Sequence, residues 1–196
     1  VSGTGAIDIS DTAGGLAVTT ATTNDGTITL NATGGNLTVG TAVTAGGSNN
    51  ASLTTTTSGD VVLTGTTTAA DDQVTVTSAG SINGAGLVTG STIDLNAASG
   101  IGDTTQLELS GSTITADTTT GDIDVDSAVA ATFTTVTTGT GSIVVDADAA
   151  TSFTTVTTTD GTVDLEVIVG NLTVGTAVTA GGSNNALLTT TTSGNV

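Results

Sequence analysis

Along this chain a glycine repeatedly introduces the phrase Gly-x-apolar-x-apolar. Instances begin at Gly5, Gly26, Gly59, Gly121, Gly141 and Gly161, for example Gly121-Asp122-Ile123-Asp124-Val125 and Gly141-Ser142-Ile143-Val144-Val145. Gly121, Gly141 and Gly161 stand 20 residues apart, and so do Phe133 and Phe153 within matched Phe-Thr-Thr-Val-Thr-Thr runs. Apolar residues alternating with Thr, Asp or Ser have the period of a strand with one buried face. The leading glycine supplies a turn. No helical period competes with this pattern. A unit of about 20 residues that holds short strands and recurs in register is what a β-solenoid requires. The expected fold is therefore all-β, with about 20 residues per coil and about ten coils. Ile123, Ile143 and Val163 should form one inward column, Val125, Val145 and Leu165 a second, and Phe133 should stack on Phe153.

A longer repeat overlies the short one. Asn36–Val61 recurs as Asn171–Val196 with two differences in 26 positions, Ser52 against Leu187 and Asp60 against Asn195. The match continues upstream through Asp25-Gly26-Thr27-Ile28 and Asp160-Gly161-Thr162-Val163, so residues 25–61 recur at 160–196, offset by 135. Residues 1–196 read as a single continuous solenoid segment of a longer repetitive protein. The copies should share a backbone and lie six or seven coils apart along one axis. Gly26 and Gly59 are 33 residues apart, neither one coil nor two. The glycine-led phrase is thus expected to change face between them: Gly26-Thr-Ile-Thr-Leu30 marks a first face, Asn36-Leu-Thr-Val39 a second and Thr41-Ala-Val-Thr-Ala45 a third. Ala51 then restarts the first face and Gly59 leads the second. The glycine-rich segment Gly80–Gly102 is expected to be irregular.

Composition narrows the function. Thr fills 51 of 196 positions, a density of β-branched residues that favours strands over helices. There is no Lys, Arg, His, Cys, Pro, Met, Trp or Tyr, and the net charge is −18. Low-complexity disorder suits one-signed charge, but it does not explain alternation held in register. A sandwich or barrel would want more hairpin turns. Without Lys or Arg the chain cannot neutralise phosphates, which argues against nucleic-acid binding, and it has no attraction for an anionic membrane surface. Its apolar runs are too short to span a bilayer. Lack of His, Lys and Cys removes triads, thiolate chemistry and the usual general base. A paired-carboxylate glycosidase is conceivable, but no Trp or Tyr would stack on a sugar and no Arg or Lys would hold a uronate. The chain is read as not an enzyme.

The run Gly80-Ser-Ile-Asn-Gly-Ala-Gly-Leu-Val-Thr-Gly-Ser-Thr-Ile-Asp-Leu-Asn-Ala-Ala-Ser-Gly-Ile-Gly102, with Leu107-Glu108-Leu109 and Gly121-Asp122-Ile123-Asp124-Val125 after it, resembles the repeats of large bacterial exoproteins of the filamentous-haemagglutinin type. The resemblance implies a right-handed parallel β-helix, export across a bacterial envelope and a role at the cell surface, as in adhesins. The chain differs from such proteins in lacking basic residues and most aromatics. A stalk, fibre or surface-layer segment is the leading expectation. An adhesion module for calcium or another ligand, and a self-assembling filament subunit, are the alternatives. The partners implied are neighbouring repeats, copies of the chain end to end, or cell-surface glycans or proteins.

Carboxylates are the only ionisable side chains. In the 20-residue register Asp126, Asp146 and Glu166 share one outward column, while Asp124 and Asp164 share a neighbouring one with Val144 between them. Asp122 and Asp148 lie close by. Stacked at about 4.8 Å, such groups raise each other's pKa or recruit a hard cation such as Ca²⁺. A solvated acidic face is the competing reading. Asn31, Asn36, Asn50 and Asn171 begin Asn-x-Ser/Thr triplets, and Asn36 and Asn171 are read as turn residues or amide ladders.

Overall fold

The computed structural model describes residues 3–196. Among these it contains eighteen strands, from Ile7–Asp11 to Ala186–Ser193, and no helix. Every strand pairing is parallel, and the partners lie one coil apart. The fold is a β-solenoid. One inward column runs Ile7, Ile28, Ala51, Val74, Ile93, Ile114, Phe133, Phe153, Val174, which makes nine rungs against the expected ten. The mean step is about 21 residues. It shortens to 19 from Val74 to Ile93 and lengthens to 24 from Leu37 to Val61, because corners absorb insertions while strands keep their pairing.

The alternating pattern becomes alternating burial. In Ile123–Ser127 and Ile143–Ala147, every second residue is buried and the others are half-exposed. Ile123 pairs with Ile143 and Ile143 with Val163, and Val125, Val145 and Leu165 form the next column inward. All six are at most 1% exposed. Phe133 and Phe153 stack with ring centroids 5.3 Å apart. Burying each such side chain contributes about 1.5–3 kcal/mol.

Corners use a device that the sequence reading did not name. At several strand ends an inward Thr or Ser turns its hydroxyl onto a glycine carbonyl, either of the corner just beyond or of the same corner one coil earlier. Thr55 donates to Gly59 O at 2.9 Å, Thr138 to Gly121 O at 2.9 Å and Thr158 to Gly141 O at 2.8 Å. The glycine is required there. Gly59 has φ of +103°, and a Cβ on it would lie 2.1 Å from the Gly35 carbonyl oxygen one coil away. Gly80–Gly102 is not irregular. It holds strands Ser81–Asn83, Val88–Ala97 and Gly100–Ile101, all in register with neighbouring coils. Its glycines serve close packing between coils: a Cβ on Gly86 would meet Gly65 O at 2.1 Å.

The three faces marked from residues 26–45 are present. Ile28 pairs with Ala51, Leu37 with Val61 and Val43 with Thr67. Between the sixth and seventh rungs the corners move. The first face divides: Ile114 pairs with Phe133 but Ala116 with Val136, across a shift that admits one extra residue. The second and third faces merge, since Ile101 pairs with Ile123 while Leu107 and Leu109 pair with Val125 and Ser127 of the same strand. Residues 102–106 are the part of the earlier coil that the merged face omits.

This rearrangement changes the relation between the long repeats. Six steps up its column from Ile28 lies Phe153. Val163, the repeat counterpart of Ile28, is on the merged face instead, paired with Ile143 and Ala186. Leu37 sits on the second face, whereas its counterpart Leu172 pairs with Thr151 on the divided first face. The copies are therefore neither six nor seven coils apart but about six and a half. Their local structures nevertheless agree. Both carry the same extra residue, between Val18/Thr20 and Val39/Ala42 in one copy and between Phe153/Thr155 and Val174/Ala177 in the other. Gly47 and Gly182 have φ of +68° and +66°.

Candidate functional site

Strands Ile123–Ser127, Ile143–Ala147 and Val163–Val169 bury the alternate positions Ile123, Val125, Ile143, Val145, Val163, Leu165 and Val167, so the intervening carboxylates point outward. Asp126 pairs with Asp146 and Asp146 with Glu166; Asp124 and Asp164 flank Val144. The structure thus brings together all five candidates. It adds a fourth member to the main column, because Glu108 pairs with Asp126. Glu108 was missed because it precedes Asp126 by 18 residues, off the 20-residue register.

These carboxylates are partly satisfied from within. Gln106 Nε2 donates to Asp124 Oδ1 at 2.8 Å and to Asp146 Oδ2 at 2.9 Å, linking the two columns. The Ser142 amide donates to Asp122 Oδ1 at 2.7 Å, and the Thr191 hydroxyl donates to Glu166. Asp126 Oδ1 is buried and has no partner among the described residues. Partial burial raises the pKa of Asp126, and Asp148, Asp146 and Glu108 raise it further. Burial likewise raises Asp124, opposed by the Gln106 amide and reinforced by Asp146 and Asp122. Asp164 is raised by burial and then by Asp146 and Glu166. The groups stack in ladders. No three carboxylates converge as a metal-holding group among the described residues. The calcium expectation for Asp124, Asp126, Asp146, Asp164 and Glu166 therefore has the donors in one region without a shared focus.

A second recurring polar feature lies at the corners of the long repeat. Asn49 Nδ2 donates to Asp25 Oδ1 at 2.8 Å and to Gly46 O at 2.9 Å. Asn184 does the same to Asp160 Oδ1 and Gly181 O, at 2.9 Å each. The Asp60 amide donates to Asn36 Oδ1 at 2.9 Å, and the Asn195 amide to Asn171 Oδ1 at 3.0 Å. Asn36 and Asn171 are thus turn residues that tie one coil to the next. Asn50 Oδ1 accepts from the Gln73 amide at 3.3 Å, and Asn31 Oδ1 is buried. Sequence reasoning did not single out Asn49 and Asn184; retention of Ala-Gly-Gly-Ser-Asn-Asn in both copies is the one signal that could have found them. A groove along another corner is lined by Ala130, Ala131, Ala150, Thr151, Asn171 and Thr173, among others, and no carboxylate borders it.

No family model, curated protein or solved structure matches the chain.

Proposed function

We propose that the chain is a structural rod segment: an extended extracellular β-solenoid serving as stalk, fibre or surface-layer element of a bacterial adhesin-like exoprotein. The observation that carries this reading is the continuity of the inward columns. From Ile28 to Phe153 every rung of the first column is fully buried, and each coil hands the same pairing to the next. Such stacking converts repeat number into length at about 4.8 Å per coil. Nine rungs give a rod of roughly 40 Å at that spacing. The bacterial, cell-surface part of the reading rests on the resemblance of residues 80–125 to filamentous-haemagglutinin-type repeats. A chain without His, Lys, Arg, Cys, Tyr or Trp also suits a scaffold better than a catalyst.

Small-angle scattering tests the mechanical part. A rod-like cross-section with an axial length near that value is expected, and a compact, isotropic particle would overturn it. Surface immuno-labelling of the producing cell, before and after permeabilisation, tests the location. Signal seen only after permeabilisation would remove the extracellular reading.

A further inference from the structure

We infer that the corner through Val129, Ala149 and Ile168–Val169 is a docking surface for a basic amphipathic helix of another protein. The apolar stripe of that helix sits on the corner, and its Lys or Arg side chains reach the carboxylate column alongside. This goes beyond the rod reading and holds wherever the rod resides.

Among the described residues seven large apolar side chains are exposed. Ile9 lies in the first rung, and Val174, Leu187 and Val196 lie in the last coil, where exposure follows from position at an end. The other three share one corner: Val129 is 40% exposed, Ile168 36% and Val169 49%. Here the next coil is in place. Val169 pairs with Ser193, and the Gly170 amide donates to Ser193 O at 2.8 Å. Val129 lies two coils further in. These side chains therefore face sideways, away from the axis. Ser127, Ala147 and Val167 stack just before the corner, and Thr132, Ser152 and Thr173 just after it. Val129, Ala149 and Val169 thus form a ridge along the rod.

The surroundings of the ridge select the partner. Asp126, Asp146 and Glu166 each precede it by three residues and stack as one outward column. Asp148 adds an exposed carboxylate within the corner. On the far side lies the groove lined by Ala130, Ala150 and Ser152. Such a surface is complementary to an apolar partner that brings cations. The chain has no Lys, Arg or His, and no helix among the described residues, so a second copy does not supply it. The long repeat points the same way. Residues 25–61 and 160–196 differ at eight positions, six of them within 28–34 against 163–169. Asp164 and Glu166 stand in place of Thr29 and Asn31, and Ile168 and Val169 in place of Thr33 and Gly34. The copy at this corner therefore carries added charge and added apolar surface together.

Spacing selects a helix. Rungs repeat at about 4.8 Å, close to the helical pitch of about 5.4 Å. Over the two steps from Asp126 to Glu166 the mismatch is about 1 Å, within reach of a Lys or Arg side chain. A strand laid along the axis would place like-facing residues about 6.7 Å apart and lose register at once. A helix docked by its i, i+3, i+4, i+7 stripe lays Lys and Arg stems across the ridge with their charged ends at the carboxylates.

The test uses the isotopically labelled 196-residue chain and a synthetic Leu/Lys peptide of about five helical turns, with Leu at i, i+3, i+4 and i+7. Saturable binding with Kd at or below roughly 100 μM is expected, with shift changes confined to residues 126–130, 146–152 and 166–173. Val129→Asp and Ile168→Asp should each weaken binding by about tenfold, although each adds a negative charge that simple attraction would favour. Val129→Ser, a milder change at the same exposed position, should act in the same direction. Asp148→Asn should weaken binding, whereas Asp8→Asn, in the first rung, should not. The inference is overturned by no saturable shift at about 1 mM peptide, or by shift changes spread along the whole rod. Equal binding of a peptide with Gln in place of Leu, unchanged or tighter binding to the Val129→Asp chain, or equal weakening by Asp8→Asn and Asp148→Asn also overturns it.

Discussion

Phe133 and Phe153, the chain's two aromatic residues, stack on each other in the core with ring planes 18° apart. They follow the rung where the first face divides, and both are fully buried. Phe133→Ala or Phe153→Ala should destabilise the chain by about 3–5 kcal/mol. Replacement by Leu, the bulkiest residue that this chain otherwise buries, should cost less than half of that. Urea denaturation of the purified variants reads both values.

Thr67 gives the opposite expectation. It lies fully buried between Val43 and Val88, and its hydroxyl has no partner among the described residues. Thr67→Val keeps the shape and removes an unsatisfied group, so it should stabilise by about 1 kcal/mol. Thr55→Val is the control. Thr55 Oγ1 accepts from the Ala79 amide and donates to Gly59 O, both at 2.9 Å. Its loss should cost about 1–3 kcal/mol. Equal effects from the two substitutions would contradict the assignment of these hydroxyls.

How much of this was legible beforehand depended on what the residues encode locally. The columns through Ile123, Ile143 and Val163 could be read because a constant 20-residue step places like over like. The three faces of residues 26–45 could be read because each carries its own apolar pair. The half-coil offset could not, since it depends on where residues 102–106 leave the coil and where the extra residue at Thr134 enters. Alternation is silent about both. Gly80–Gly102 misled for a related reason: glycine density there marks close coil-to-coil contact and not a lack of strand. Asn49 was hidden because its partner, Asp25, is 24 residues away at a corner, where no period applies.

The carboxylate columns predict a pH dependence with a definite sign. Asp124, Asp126 and Asp164 have pKa values raised above 3.8 in the folded chain. The folded state therefore binds protons more tightly than the unfolded one. This contribution is fully present below 3.8 and is lost as pH rises through the raised values. Asp11 acts oppositely: the Gly14 and Ala13 amides lower its pKa, and its contribution is lost as pH falls below 3.8. Tm should rise on acidification from pH 7 toward roughly pH 4 and fall beyond it. Asp126→Asn should raise Tm at neutral pH and flatten the profile. A Tm that falls steadily from neutrality would contradict this account.

Gln106 should matter most when those groups are ionised. Its amide donates to both Asp124 and Asp146, and Gln106→Ala leaves two close carboxylates without it. The loss should reach about 1–3 kcal/mol at pH 7 and shrink near pH 4. Since the carboxylates stack in ladders without converging on one point, titration with Ca²⁺ should give no saturable heat and chelator no change in Tm. A saturable heat that Asp146→Asn removes would instead make the column a calcium site.

The half-coil offset has a consequence for any surface that the long repeat carries. A repeat spanning a whole number of coils would set every copy of a feature on one side of the rod, as a comb. An offset of six and a half coils turns each copy through half a revolution while advancing it roughly 31 Å. The Asp25–Asn49 corner and the Asp160–Asn184 corner thus look out in opposite directions. Tandem repetition on this rule would act as a two-fold screw, giving the rod two equivalent sides and no back. Such a rod could be gripped by neighbours on both flanks at once.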